Sequence, residues 1–256
     1  MAFSHASDDI TLGRGEVYFD PFTTDTNRTG EFKYMGNTPA VALAASTTKL
    51  DHFSSDRGLR VKDKSVVLEV NYTGTLETDN MDFGNLAKFF MGTTTLVEQA
   101  AGTGLTQSWT TVADKTLLQL GVTDANPQGD RDVTSVVVTS DGDPMTLGTH
   151  YELDADTGRV HTLVAFVTMT VDYVISTSTR EQVISAGTQV KGALRVIAEN
   201  SEGTNRDYYL PNVTLAPNGD FVLKGDGTNW LSMKLDMEVL KKDDSTAAIY
   251  IDGRAA

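Results

Sequence analysis

The 256-residue chain contains no cysteine. Disulfides, thiolate nucleophiles and cysteine-based zinc sites are therefore excluded, and any assembly must rest on packing and polar contacts. This usage fits synthesis in a cytoplasm. Basic residues are also scarce: 21 Lys and Arg stand against 35 Asp and Glu, giving a formal net charge of -14. Gripping a phosphate backbone needs clustered Lys and Arg, so this surface is expected to repel DNA. No apolar run approaches the ~20 residues of a membrane-spanning helix, and the opening MAFSHASDD lacks the basic and apolar segments of a secretory signal. Tryptophan occurs only at Trp109 and Trp230, which leaves two candidates for an aromatic stacking platform.

What is present is strand periodicity, in a chain long enough for one large β domain or two smaller ones. Val190, Leu194 and Val196 alternate with Lys191, Arg195 and Glu199, and Met233, Leu235, Met237 and Val239 alternate with Lys234, Asp236 and Glu238. A period of two marks half-buried strands. Pro211, Pro217-Asn218-Gly219 and Gly225-Asp226-Gly227 supply turn chemistry where a meander reverses. Val66, Leu68, Val70 and Tyr72 share one face of a further strand, expected to be core; the opposite face runs through Glu69 to Glu77 and Asp79. Asn80-Met81-Asp82 then caps a short helix with Phe83, Leu86, Ala87 and Phe90 at helical spacing and Gly92 as its stop. Residues 46–58 are too polar for a strand and are expected to form a loop, with Leu50 and Phe53 as its large apolar groups. A loop of this length suits docking onto a neighbour.

Three segments carry a family resemblance. They are TLGRGEVYFDPF near the start, LDHFSSDRGLRVKDKSVVLEVNYTGTLETDNMDFGNLAKFFMG in the middle, and the closing GALRVIAEN, DYYLPNVTLAPNGDFVLKGDG and Trp230 block, which is the most specific. Together they resemble the major tail tube proteins of bacteriophages with long, non-contractile tails. The resemblance implies a structural virion protein, not an enzyme, made in the host cytoplasm and located in the virion tail. Hexameric rings would stack into a tube that conducts double-stranded DNA without specific binding. Its partners would be further copies of itself and the tail tip or initiator, tape measure and terminator proteins. The polar loop would then contact the adjacent ring through Leu50 and Phe53, with Asp51, Asp56 and Arg57 at the rim. In a barrel shared by six subunits, Glu69, Glu77, Asp79, Asp236 and Glu238 would point into the lumen or to the outside, and the lumen is the expectation adopted.

Between these segments, residues 101–180 differ in texture, with short apolar runs separated by turn clusters at 124–129, 140–144 and 154–158. Strands are expected over 116–120, 133–139, 150–153, 159–163 and 167–175, spaced as in a small sandwich. The block resembles an immunoglobulin-like insertion, although its last strand is an alternative member of the tube sheet. The expected fold class is therefore mainly β. A tail-tube β-sandwich or barrel-forming domain with one short α-helix, residues 1–100 and 181–256, would carry an inserted outer immunoglobulin-like domain at 101–180.

Sites of chemistry are sparse. Asp154-Ala155-Asp156-Thr157-Gly158 begins like a calcium loop, but no closing Glu follows and the flanks read as a hairpin. In that hairpin Asp154 faces Arg159 and Glu152 faces His161 with His150 beside them, which reads as cross-strand pairing rather than a metal trio. His5 and His52 have no partner identifiable from sequence, and neither a nucleophile elbow nor a phosphate-cradling glycine motif is present. No cofactor is expected. The competing function is a β-sandwich adhesin or carbohydrate-binding module using Trp109 or Trp230. A glycosidase would need two carboxylates about 5 to 10 Å apart across a cleft, which sequence does not establish for Glu69 with Glu77 or Asp236 with Glu238.

Overall fold

A computed structural model describes residues 10–23, 29–56 and 58–253. The fold is mainly β and divides into two compact units, one formed by the chain up to Thr94 and from Val183 onward, the other by Thr95–Gln182. In the first unit the strands are β1 (Gly15–Pro21), β2 (Lys33–Tyr34), β3 (Ala40–Ser54) and β4 (Val61–Thr78), followed by helix α1 (Phe83–Phe89) and β5 (Gly92–Gln99). In the second unit are β6 (Gly102–Val112), β7 (Leu117–Gln119), β8 (Val133–Ser140), β9 (Asp143–Pro144), β10 (Tyr151–Asp154), β11 (Arg159–Thr162) and β12 (Phe166–Ile175). The chain returns through β13 (Ser178–Ser185) and ends with β14 (Val190–Ala198), β15 (Arg206–Asn218), β16 (Met233–Val239) and β17 (Tyr250–Gly253).

The first unit is built on one sheet in the order β2-β1-β14-β15-β16-β4-β3, with β17 on β15. The sequence period determines which face is dry. In β16, Met233, Leu235, Met237 and Val239 are buried and Lys234, Asp236 and Glu238 exposed, as alternation requires. They join Val17, Phe19, Met35, Leu76, Leu194, Leu210 and Leu215 in one core. At about 25 cal/mol per Å² of buried apolar surface, this cluster is the main stabilising term of the unit.

Pro211, expected at a turn, instead sits inside β15. On one side of that strand β17 pairs with Arg206–Tyr209 and β16 with Val213–Asn218. On the other side, the register with β14 shifts between Leu194 opposite Leu210 and Gly192 opposite Val213. Pro211 therefore falls at the one gap common to both ladders, where its missing N–H breaks no pairing. Gly192 marks the same irregularity: a Cβ there would lie 2.3 Å from Cζ of Phe19 and 2.4 Å from the Asp20 carbonyl oxygen.

Helix α1 begins where the cap chemistry places it. The Asp82 carboxylate accepts from the Asn85 backbone N–H, and Phe89 enters the core against Phe221, with ring centroids 5.4 Å apart. Lys88 in its last turn donates to the Gly84 carbonyl at 3.2 Å and to Oδ1 of Asn85 at 3.0 Å, with its ammonium 5.8 Å from the Phe19 ring centroid. Burial pushes this amine down to about 8 from an ordinary 10.5, Lys33 adding to the effect and Asp82 opposing it. The folded pKa lies below the unfolded one. Between them the unfolded chain holds more protons, and stability rises with pH. Urea unfolding should therefore show wild type gaining on Lys88→Met, on the order of 2 kcal/mol after allowance for partial exposure, as pH rises from about 8 to 10.5. Parallel pH profiles for the two proteins would contradict the assignment.

The second unit packs two sheets, β6-β12-β8-β9 and β10-β11-β7, around one core that includes Val112, Leu120, Val138, Tyr151, Val160, Met169 and Tyr173. Strand β12 pairs with β6 and β8, so the alternative that placed it in the large sheet is overturned. The strands entering and leaving this unit pair with each other. Gly92 lies against Ile184, and Oγ1 of Thr95 approaches the Gln182 carbonyl at 3.5 Å, so the ribbon runs antiparallel. Both unit boundaries fall within it. The sequence borders at 100 and 180 instead fall just past the end of β5 and near the start of β13, because a change of texture does not register strands common to both units. Gln99 at the end of β5 donates to the carbonyls of Arg131 at 2.7 Å and Ser176 at 2.9 Å.

An antiparallel ribbon can be closed by a tight turn. Replacing residues 100–177 with Asn-Gly should join β5 to β13 as a hairpin and leave the first unit folded. The expected result is a cooperative thermal transition with the strand-rich circular dichroism of the parent. Loss of that transition would show that the first unit depends on the second.

Two expectations about the β3–β4 region are corrected. Residues 46–54, read as loop, are strand, paired residue by residue with 61–71. Cross-strand ladder bonds and β-branched partners overrode their polar composition. Val66, Leu68 and Val70, read as one core face, are 58, 60 and 50% exposed, and the bulge at Leu68 puts Val66 on the side opposite Val70; on the side of Val70, full burial begins only at Leu76. The bulge interrupts the alternation, and among the described residues no third strand or helix covers this part of the hairpin.

Candidate functional site

The uncovered hairpin is an arm, two strands wide and bulged between Thr48 and Lys49 and between His52 and Phe53. At about 3.3 Å per residue, the nine residues from Ser46 to Ser54 extend it roughly 30 Å. Leu50 pairs with Val66 on one side of the arm and Thr47 with Val70 on the other, the side that is core farther down, with Leu68 at the bulge between them, so a stripe of exposed apolar side chains runs along the arm and crosses from face to face. A polar network ties the strands together. Asp51 meets Lys62 Nζ and Ser65 Oγ, both at 2.7 Å, and His52 Nδ1 lies 2.5 Å from Asp63. The Lys62 ammonium, then the Ser65 hydroxyl, holds the Asp51 carboxyl below its ordinary range. On the side opposite Asp51, Thr48 donates to Glu69 at 3.2 Å.

The predicted docking residues thus fall into different roles. Leu50 is presented on the stripe, while Asp51 is engaged within its own arm. Phe53 is half-buried, its ring covered by the Arg60 guanidinium at 4.4 Å from the centroid. Asp56 is exposed at the tip, and Arg57 lies outside the described residues, as does His5. The large stripe members Val66, Leu68 and Val70 were missed as surface because an alternating strand reads the same whether its apolar face is covered by its own chain or by another.

The acidic candidates come together on the opposite face. Strand β16 pairs with β4 so that Lys234 faces Glu77, Asp236 faces Thr75 and Glu238 faces Thr73. Glu69, Glu77, Asp236 and Glu238 consequently share one sheet face with Ala42, Ala44, Thr214 and Ala216. Several of these carboxylates are engaged. Glu77 accepts from Ser232 at 2.8 Å and lies 3.6 Å from Lys234, and Asp236 accepts from Asn218 at 2.6 Å. Lys191, opposite Thr214, adds a second positive charge to this face. Asp79 lies past the strand end, where it accepts from Asn37 Nδ2 at 2.5 Å.

The core side of the sheet holds a feature the sequence did not announce, a groove of about 750 Å³. Val17, Leu194, Leu210 and Met237 form its floor, and Val41 and Leu43 of β3 form one wall. Among the described residues, Arg14 and Arg206 are its charged lining residues.

The other chemical candidates resolve simply. Asp154 pairs with Arg159 and Glu152 with His161, whose Nδ1 lies 3.6 Å from the Glu152 carboxylate; His150 Nδ1 accepts from the Thr146 N–H at 3.0 Å. Among the described residues no group of three or more His, Asp or Glu is placed to hold a metal ion. Trp109 packs against the core of the second unit, whereas Trp230 is 96% exposed. Among the described residues no helix is long and apolar enough to cross a membrane. A search of curated proteins returned no match. A family profile does match, over residues 10–249, and with that coverage the chain belongs to the family described as protein of unknown function UCP028589.

Proposed function

We propose that this chain is a structural virion protein that closes into hexameric rings and stacks into the tail tube of a bacteriophage with a long, non-contractile tail. The observation that carries the reading is the arm: Leu50, Val66, Leu68 and Val70 stand half-exposed or more along it, with no partner element among the described residues of their own chain. Monomeric proteins rarely leave so many large apolar side chains grouped in water, and a repeating contact with neighbouring copies would cover them. The tail-tube resemblance of the segments flanking the second unit supplies ring number and tube geometry. The acidic net charge agrees with a conduit wall that does not retain phosphates. On this reading the second unit is an immunoglobulin-like outer domain, and the tip, tape measure and terminator proteins are the partners.

The reading is tested by gold-labelled antibodies against this chain on virions of the phage that encodes it. Label along the whole tail shaft is expected. Label confined to the tip or baseplate, or absent from virions, would overturn it. Confined label would favour the adhesin reading, for which the exposed Trp230 is the supporting observation.

A further inference from the structure

Lys115, Arg131, Arg159 and Arg180 are the basic residues of Thr95–Gln182, a unit in which Asp and Glu far outnumber Lys and Arg. The three arginines gather around the side chain of Gln119. Its Oε1 accepts from Arg159 Nε at 3.2 Å, and its Nε2 donates at 2.9 Å to the Thr157 carbonyl, which also accepts from Arg131 Nη1. Gly129 lies against the same amide, since a Cβ there would stand 2.8 Å from Gln119 Nε2, and the Gly129 carbonyl accepts from Arg180 Nη2 at 3.4 Å. Lys115 sits apart: its backbone N–H bonds to Thr162, at the opposite end of β11 from Arg159.

The cluster lacks a local counter-charge. Among the described residues no carboxylate forms an ion pair with any of the three arginines. The acids nearby have other partners: Asp154 accepts from the Thr157 N–H and hydroxyl, and Asp130 from Asn126 at 3.2 Å and Tyr173 at 3.0 Å. Burial, then the charges of Arg180 and Arg159, pulls the Arg131 guanidinium below its ordinary range, with Asp154 and Asp132 opposing without cancelling the effect. Each guanidinium carries five N–H donors and commits one nitrogen to the loops around Gln119, so donors remain on all three. A planar guanidinium fits the oxygens of phosphate or sulfate edge to edge, and three of them match a dianion, whereas a single carboxylate would leave two charges unanswered.

We propose that Arg131, Arg159 and Arg180 form a binding site for a phosphate or sulfate group, free or carried on a polymer, with the Gln119 amide holding the three side chains together. The site belongs to the second unit alone and does not depend on ring or tube assembly.

Equilibrium dialysis of the full chain against labelled inorganic phosphate tests this, with inorganic sulfate and short-chain polyphosphate as competitors. The expected result is saturable uptake that sulfate displaces. Arg180→Gln should weaken it about tenfold or more, while Lys115→Gln, away from the cluster, should stay within about twofold of wild type. Should Arg180→Gln lose the wild-type thermal transition, Arg159→Gln carries the same expectation. Polyphosphate that competes more strongly per phosphate than the free ion assigns a polymer-borne ligand, and equal competition assigns the free ion. No saturable uptake by wild type, or equal uptake by wild type and the folded arginine variant, would overturn the site and leave the three arginines as clasps of loop carbonyls.

Discussion

A chain carrying Leu68→Asp should form neither rings nor tubes while unfolding at the wild-type temperature. Leu68 is 60% exposed in the middle of the arm, so its own fold loses little when it becomes polar. In the proposed polymer the same position would be buried against a neighbour, where removing the leucine would forfeit about 1.5–3 kcal/mol and an unpaired carboxylate would add a desolvation penalty of several more. Every subunit repeats the loss, so the effect is amplified along the stack. Phe53→Ala should weaken assembly less, because that ring is already half-covered by Arg60 within its own arm. Sedimentation and thermal unfolding of both variants check this. Normal polymers from Leu68→Asp would mean that the stripe remains in water.

The contrast between these two positions shows what sequence could and could not convey. Strand period identified which side of β16 is dry because both faces of that strand have fixed surroundings within one chain. The same period on β4 put Val66, Leu68 and Val70 on one face, but the bulge at Leu68 parts Val66 from Val70, and alternation does not name what covers either. Composition misled at residues 46–54, where ladder pairing and two bulges hold a polar sequence extended, and at Pro211, where two partner strands change together. The cap at Asp82 and the Asp154–Arg159 hairpin were legible because their determinants are local. The groove was not, because its floor is assembled from strands β1, β14, β15 and β16, distant in sequence.

Reversing charge on the acidic face should slow genome release. Glu69 and Asp236 lie on the same side of adjoining strands, each held by one hydroxyl or amide partner, from Thr48 and Asn218. Replacing both by Lys leaves the opposite face of the sheet unchanged, and tubes should still assemble. If this face lines the bore, the substitution repeats around each ring and along the tail as a ladder of cations. A DNA duplex presents one negative charge per ~1.7 Å of its axis, so many weak phosphate contacts would form at once and would weaken steeply with salt. Ejection measured from virions should be slower than wild type at low salt and recover toward it at moderate salt. An unchanged rate at both would place these side chains outside the bore.

The central claim is that the arm exists to be covered by another copy, and electron microscopy of the purified chain tests it most directly. The account predicts six-fold rings or long tubes, from the chain alone at high concentration or after addition of the tail-tip initiator. Uniform monomers under both conditions would contradict it.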